Sequence, residues 1–203
     1  MKPQVALTFD DGPNPKTTSA ILQVLARYEV KATFMIWGEH ARQYPQLVSQ
    51  EQKMGHALGS HTFSHQSLLK LTDLQIKQEL QQTDAVIQEA AGVTPQFCRP
   101  PYGDIDRRTL KAINRPAIRW SLDSQDWLTH NAQQTLTNVR RAKDGDIVLM
   151  HDIQPSTADA IEEIILSLRA KEFQFVTVPE LLASPMDRHY VYESEYQAKK
   201  LYD

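Results

Sequence analysis

The chain has 203 residues, enough for one domain of ordinary size with its own hydrophobic core. Hydrophobic residues make up 41% and charged residues 23%, a composition that is typical of a soluble globular protein and excludes a fibrous or disordered chain. The formal net charge is -3, and lysines and arginines are scattered along the sequence, which argues against nucleic acid as a partner.

Targeting signals and disulfides are absent from the sequence pattern. The apolar runs are too short to span a membrane, and residues 1–4 lack the apolar stretch of a secretory signal. We therefore expect no transmembrane segment and, as encoded, a cytoplasmic location; an extracellular one would require that a signal had been removed. The single cysteine, Cys98, excludes an intramolecular disulfide and, beside Phe97, is typical of a small buried hydrophobe. The sequence does not define an oligomeric state.

Short apolar runs alternate with helical patterns along the chain. The predicted strands are, in chain order, residues 5–9, 32–37, 57–60, 96–99, 117–122, 146–150 and 173–178. The predicted helices cover residues 18–28, 43–52, 107–113, 134–141 and 158–170, with a longer one between 72 and 92. In that longer helix Thr72 and Gln75 form a capping box, and Gly92 ends the helix. Such alternation predicts parallel strands covered by helices.

The polar residues that could take part in catalysis or metal binding mostly follow predicted strands. Parallel β/α barrels place their active sites at the carboxyl ends of the strands, so this distribution favours a barrel over an open sheet. We predict one domain over residues 1–184, with residues 185–203 as a polar, tyrosine-rich C-terminal extension.

Two adjacent carboxylates, Asp10 and Asp11, follow the first strand. Buried together they would repel each other, and a cation is the simplest compensation. One of them could then bind a metal while the other faces a reacting water. A solvated turn is the alternative, because Asp-Gly and Gly-Pro are common turn dipeptides.

Two histidines, His61 and His65, lie four residues apart and can converge on one cation in a helical turn or a compact loop. With one aspartate they form a set that leaves coordination positions open for water and substrate. Zinc proteases carry a glutamate directly after the first histidine, but Thr62 stands there, so that class loses its general base. Surface histidines at this spacing also occur by chance.

Three further segments follow predicted strands. Residues 99–103 contain two prolines that fix a loop and its backbone N–H groups, although a plain turn with Arg99 on the surface is the alternative. Residues 123–127 form an acidic loop, or else a solvated turn with a packed tryptophan. His151 closes a strongly apolar strand, where it is either a satisfied core histidine or a proton donor or acceptor.

Taken in order, these segments resemble the five motifs of the polysaccharide deacetylases, carbohydrate esterase family 4, which share the NodB homology domain. The matching segments are residues 8–11, 61–65, 99–102, 123–127 and 149–151. The resemblance implies a distorted (β/α) barrel of about seven parallel strands surrounded by helices.

The resemblance also implies a metal centre. By it, Asp11, His61 and His65 hold a divalent metal, usually zinc, with cobalt and nickel as alternatives. Asp10 is then the general base and His151 the general acid.

The remaining motif residues support this centre by the same resemblance. Asp126 orients His151 and raises its pKa, and Arg99 keeps Asp10 ionised. The backbone N–H of Tyr102 helps to stabilise the oxyanion, while Trp127 and Leu149 wall the pocket for the acetyl methyl group. Asp123 is expected to support its loop.

The leading functional hypothesis is metal-dependent hydrolysis of N-acetyl groups on a saccharide that contains N-acetylglucosamine, of chitooligosaccharide or peptidoglycan type. An O-acetyl esterase acting on xylan or a similar polysaccharide is the nearest alternative, because the metal and the base serve both reactions. A non-catalytic carbohydrate-binding module is the alternative of another class, and the intact motif positions argue against it.

Overall fold

A computed structural model describes residues 2–183 and 185–202. Its strands are β1 (Gln4–Asp10), β2 (Thr33–Ile36), β3 (Ala57–Ser60), β4 (Ala117–Ile118), β5 (Leu122–Asp123), β6 (Asp146–His151), β7 (Gln174–Phe175), β8 (Tyr190–Tyr192) and β9 (Ala198–Lys200). Its helices are α1 (Thr17–Arg27), α2 (Gly38–Gln43), α3 (Pro45–Lys53), α4 (Asp73–Ala91), α5 (Arg107–Ile113), α6 (Asp126–Thr129), α7 (Ala132–Val139), α8 (Pro155–Arg169) and α9 (Val178–Leu181). Short 3-10 turns lie at Leu68–Lys70 and Pro101–Gly103.

Strand β1 is the centre of the parallel sheet. From Val5 onward every residue of β1 is buried, because both faces of the strand are covered. One edge pairs with β6 from Val5 to Asp10. The other edge pairs with β7 at its start and with β2 at its end. The strand order is therefore β3-β2-β1-β6-β5, with β7 against β1.

Single bridges close this sheet into a barrel. Cys98 pairs in parallel with Ser60 on one side and with Ala117 on the other, which joins β3 to β4. The chain then continues from β4 into β5, where Ser121 N donates to Ile147 O of β6. The predicted parallel (β/α) barrel is thus confirmed, with about six strands in its sheet.

Individual strands are shorter than their predicted ranges. The predicted strand 96–99 is reduced to the bridge at Cys98, and the predicted strand 117–122 is divided into β4 and β5. The division arises because the chain changes its pairing partner there, from Cys98 to β6. The predicted strand 173–178 is limited to β7.

The helices cover the outside of the barrel. Helix α4 begins and ends as predicted: Thr72 accepts a hydrogen bond from Gln75 N at 3.3 Å, and Gly92 ends the helix with a φ of 72°. The predicted helix 43–52 corresponds to α3, which begins at Pro45 because Tyr44 leaves the helical conformation and proline fits the first turn of a helix. The short helix α2, which ends at Gln43, was not predicted. No helix in residues 2–183 and 185–202 has the length and apolar composition needed to cross a membrane.

The described part of the C-terminal extension packs back onto the barrel. Strand β8 pairs in parallel with β4, and β9 pairs with β8 in the antiparallel sense. Val191 is buried against the barrel. The predicted boundary falls at Ser184, which lies outside the described residues, as do Met1 and Asp203. The division into a domain and an extension stays a prediction.

Candidate metal centre and active site

The carboxyl ends of the strands surround one pocket of about 320 Å³. It is lined by Asp10, Asp11, His61, His65, Pro100, Tyr102, Trp120, Asp123, Trp127, Leu149, His151 and Gln154. Eight of the ten predicted site residues belong to this lining. The other two, Arg99 and Asp126, lie behind it and contact Asp10 and His151. The structure therefore brings together all the residues that the sequence singled out.

Three of the lining side chains converge on one point. The His61 and His65 Nε2 atoms lie 3.2 Å and 3.1 Å from Asp11 Oδ1. The potential ligand atoms of the three residues all lie within 4.8 Å of one another. The histidines are carried by a compact loop rather than a helical turn, since Thr62 and His65 have φ values of 68° and 57°.

The chemistry of these atoms fits a cation. His61 Nδ1 lies 2.7 Å from Arg99 O, and because a carbonyl only accepts, Nδ1 carries the proton. The neutral ring then turns an Nε2 lone pair toward Asp11 Oδ1, which is itself buried without a hydrogen-bond partner. Two facing acceptors at this distance need a proton or a metal between them. The residues present therefore fit a divalent metal.

The charges of the site also favour a cation. Burial would lower the pKa of His61, but the carboxylates of Asp10 and Asp11 raise it above its ordinary value. Burial would likewise raise the pKa of Asp11, yet the neighbouring imidazoles of His61 and His65 hold that pKa well below its usual range. The Asp11 carboxylate and the histidines that face it are thus most stable with positive charge at the histidine nitrogens.

Asp10 does not belong to the converging group and is held by Arg99. Arg99 Nη1 donates to Asp10 Oδ1 at 2.6 Å, while Asp10 Oδ2 lies 3.8 Å from His61 Nε2. The guanidinium is fully buried and also donates to Thr8 Oγ1, Ile118 O and Arg119 O. The alternative of a surface arginine after a plain turn is therefore wrong.

His151 faces the carboxylates from the end of β6. Its Nδ1 lies 2.8 Å from Asp126 Oδ1, and its backbone N–H donates to Asp126 Oδ2. Burial would lower the pKa of His151, but the hydrogen bond and charge of Asp126, with the charges of Asp10 and Asp11, raise it to about 9. Asp126 is itself buried and accepts a further hydrogen bond from Thr157 Oγ1 at 2.5 Å. The raised pKa favours the charged form of the His151 ring at neutral pH.

Aromatic and apolar side chains form the walls of the pocket. Leu149 is buried, whereas Trp127 is 47% exposed and Tyr102 is 67% exposed. Trp127 Nε1 donates to the carboxylate of Asp123 at 3.3 Å, which fixes the indole over the pocket. Asp123 Oδ1 also accepts a hydrogen bond from Gln125 N, so this carboxylate contacts both the backbone of its own loop and a wall of the pocket.

Sequence reasoning missed several residues of the site. Trp120 and Gln154 line the pocket, and Thr157 donates to Asp126. Trp120 lies within the predicted strand 117–122, where alternation alone does not show which side chain faces the pocket. His40 was also missed; its Nδ1 lies 2.7 Å from Asp11 O.

Fold and site together define a parallel β/α barrel protein with a candidate metal site of two histidines and one carboxylate at its mouth. The family model described as polysaccharide deacetylase matches residues 1–119. The chain therefore belongs to the polysaccharide deacetylase family. The last two of the five motif segments lie beyond the matched residues.

Individual proteins are similar to this chain over most of its length. The peptidoglycan-N-acetylglucosamine deacetylase PgdA of Listeria monocytogenes is 38% identical over 179 residues, which cover 88% of this chain and 38% of that protein. A peptidoglycan-N-acetylglucosamine deacetylase of Bacillus cereus is 35% identical over 195 residues, covering 92% of this chain and 71% of the relative. The chain thus spans little more than a third of the Listeria protein.

A solved structure extends the likeness to the whole barrel. A family 4 acetyl xylan esterase from Clostridium thermocellum, in complex with a cobalt ion, superposes with a TM-score of 0.90 and 33% identity. The alignment covers 96% of this chain and 100% of the esterase chain.

Proposed function

We propose that this chain is a metal-dependent hydrolase that removes N-acetyl groups from a saccharide containing N-acetylglucosamine and releases acetate. One observation carries the proposal: the second carboxylate oxygen of Asp10 and the His151 ring lie in the same pocket as three converging side chains that could hold a metal. A base, an acid and an electrophilic centre are what amide hydrolysis requires.

Asp11, His61 and His65 would hold the metal, and the donor set of two imidazoles and one carboxylate suits zinc. When bound, the metal supplies Lewis-acid polarisation of the acetyl carbonyl and of the attacking water. The cobalt ion in the similar esterase structure supports a divalent ion in this family. We propose zinc, with cobalt and nickel as substitutes.

Asp10 acts as the general base through one defined oxygen. Its Oδ1 is occupied by Arg99, so Oδ2 is the atom that takes a proton from the attacking water. The buried guanidinium offsets the charge of the carboxylate and fixes its direction. The water oxygen then forms a bond to the acetyl carbon.

His151 supplies the proton that the leaving nitrogen needs. Because its Nδ1 is bonded to Asp126, the proton available to the pocket is on Nε2. As the carbon–nitrogen bond breaks, this proton passes to the nitrogen and a free amine departs, since an amide anion is too poor a leaving group. Acetate remains as the other product. We propose that the backbone N–H of Tyr102 stabilises the oxyanion that precedes acetate.

The shape of the surface agrees with a saccharide longer than one sugar. Leu149, Trp127 and Trp120 enclose the space proposed for the acetyl methyl. A second cleft, of about 510 Å³, shares His65 and Tyr102 with the pocket and extends past Lys70. The names of the peptidoglycan-deacetylating relatives support a glycan of this kind as substrate.

The second candidate is O-acetyl ester hydrolysis on xylan. It is favoured by the likeness to the acetyl xylan esterase, and an ester needs the acid at His151 less because an alkoxide leaves more easily than an amide anion. The two reactions would therefore differ in how strongly they depend on His151.

Acetate release from a panel of substrates tests these proposals. The panel contains N-acetylated chitooligosaccharides, peptidoglycan and O-acetylated xylan, with Asp10→Ala as the blank. We expect release from the N-acetylated glycans that is lost in Asp10→Ala. Release from xylan alone would favour the esterase. Saccharide binding without any release would indicate a non-catalytic binding module.

A further inference from the structure

The loop that carries Asp11 is held from outside at three consecutive carbonyl oxygens. Asp10 O accepts from Asp152 N at 3.3 Å, and Gly12 O accepts from Trp37 N at 3.0 Å. Between them, Asp11 O lies 2.7 Å from His40 Nδ1. A carbonyl only accepts, so His40 donates this hydrogen bond. The other two donors are backbone N–H groups. The bond from His40 comes from a side chain, so it depends on which residue stands at position 40.

Asp11 needs such support because of its backbone conformation. Its φ is 76°, in the left-handed region that residues other than glycine occupy only when their surroundings hold them there. A change in this φ would move Asp11 O away from His40 Nδ1. It would also turn the carboxylate away from His61 and His65, which lie 3.2 Å and 3.1 Å from Asp11 Oδ1.

Trp37 extends this support to a second ligand. Its ring centroid lies 4.2 Å from that of His40 and 4.8 Å from that of His65, at interplanar angles of 34° and 31°. His61 is oriented differently, by the bond between its Nδ1 and Arg99 O. Within residues 2–183 and 185–202, no backbone carbonyl accepts a hydrogen bond from the His65 ring. Its orientation therefore depends on the rings packed against it.

We propose that His40 and Trp37 form a brace that positions two of the three ligands of the metal centre. His40 holds Asp11 through its backbone carbonyl, and Trp37 packs against the ring of His65. Their own ring contact joins the two supports. Neither residue lines the pocket, so both are positioning residues rather than catalytic ones. The inference rests on the metal site of the proposed function but not on its substrate.

The affinity for zinc measures the effect of the brace directly. The dissociation constant is obtained by competition with a chromogenic chelator, and the visible absorption of bound Co²⁺ reports the geometry of the ligands. His40→Phe keeps a ring against Trp37 but removes the donor, whereas His40→Asn keeps a donor near the position of Nδ1. The matched control is His189→Phe, in the C-terminal segment, where His189 contacts Asp187 and Tyr202.

We expect His40→Phe to bind zinc roughly 10- to 100-fold more weakly, as is usual when a partner of a metal ligand is removed, and to alter the Co²⁺ spectrum. His40→Asn should recover most of the affinity, and His189→Phe should match the wild type. Wild-type affinity and an unchanged spectrum in His40→Phe would overturn the proposal.

A second variant covers the case in which His40→Phe does not fold. Trp37→Leu removes the ring beside His65, and zinc binding about tenfold weaker would support the brace, while wild-type binding would overturn it. The outcome is separable from the proposed function. A wild-type protein that binds zinc but releases no acetate would contradict the deacetylase proposal alone, whereas one that binds neither zinc nor cobalt would overturn both.

Discussion

Arg99 Nη1 donates to Asp10 Oδ1 across 2.6 Å, and both side chains are almost completely removed from solvent, with 0% and 2% exposure. The guanidinium lies beneath the pocket and is anchored by two backbone carbonyl oxygens and by Thr8. One oxygen of Asp10 is thereby fixed and the other is left for chemistry. The two adjacent carboxylates therefore have different partners, because Asp11 is directed at His61 and His65 instead.

Arg99→Met should strongly destabilise the protein. The substitution leaves Asp10 as an uncompensated buried charge, a change that costs about 3–5 kcal/mol when one partner of a buried pair is removed. Urea unfolding followed by circular dichroism measures the loss. The matched control is Arg27→Met, since Arg27 forms an exposed pair with Glu162 and should cost at most about 1 kcal/mol. Equal unfolding free energies for the two variants would contradict the role assigned to Arg99.

Asp126→Asn should lower the pKa of His151. Burial alone would take this pKa below its ordinary value, and Asp126 is the main group that raises it to about 9. Without that carboxylate we expect the pKa of His151 to fall toward its ordinary value, so that the acid form is less populated at about pH 7.5. The stability contributed by the pair is present in full below pH 6.5 and is lost as the pH rises through about 9.

An NMR titration of the His151 ring measures this change, and the alkaline limb of kcat/KM should move to lower pH with it. Asp123→Asn is the control, because Asp123 lies in the same pocket but bonds to Trp127. A His151 pKa that stays near 9 in Asp126→Asn would disprove the assignment.

Glu51→Met should stabilise the protein at alkaline pH. Glu51 lies in α3 with 0% exposure, and neither of its carboxylate oxygens has a hydrogen-bond partner. Burial, with the charge of Asp152, raises the pKa of Glu51 well above its ordinary value. The native protein therefore loses stability as the pH rises from about 4.5 through that raised pKa, because the folded state must then hold an unpaired buried charge.

We expect the free energy of unfolding of Glu51→Met to rise by about 1–3 kcal/mol at pH near 8, and by less at pH near 4. Chemical denaturation at the two pH values measures it. Glu163→Met, on the exposed face of α8, is the control and should change stability by about 0.5 kcal/mol or less. A fall in stability of Glu51→Met at the alkaline pH would contradict this account.

Local rules predicted the parts of the fold that depend on local sequence. The capping box of Thr72 and Gln75 and the terminating Gly92 set the bounds of α4, and these interactions involve neighbours in the chain. The strand around Cys98 was overestimated because its length depends on partners on both sides, and each of them pairs with it at a single residue. Local propensity does not show which distant segments pair, or over how many residues.

The candidate site likewise contains residues that could be predicted from the sequence and residues that could not. Asp10, Asp11 and His151 stand directly at strand ends, so their convergence could be expected from the barrel itself. His40 could not, because it contacts a backbone carbonyl 29 positions earlier in the chain and any residue could supply that carbonyl. Glu51 was predicted only as part of a polar helix, and its complete burial depends on how α3 packs against the rest of the fold.

The division of labour between Asp10 and Asp11 is tested most directly by measuring metal content and acetate release for Asp10→Asn and Asp11→Asn together. The account predicts that Asp10→Asn retains its metal but loses roughly 10²- to 10⁴-fold in acetate release, as expected for removal of a general base. Asp11→Asn should lose the metal itself. Asp10→Asn protein that loses its metal, or that keeps acetate release within about tenfold of the wild type, would contradict the account.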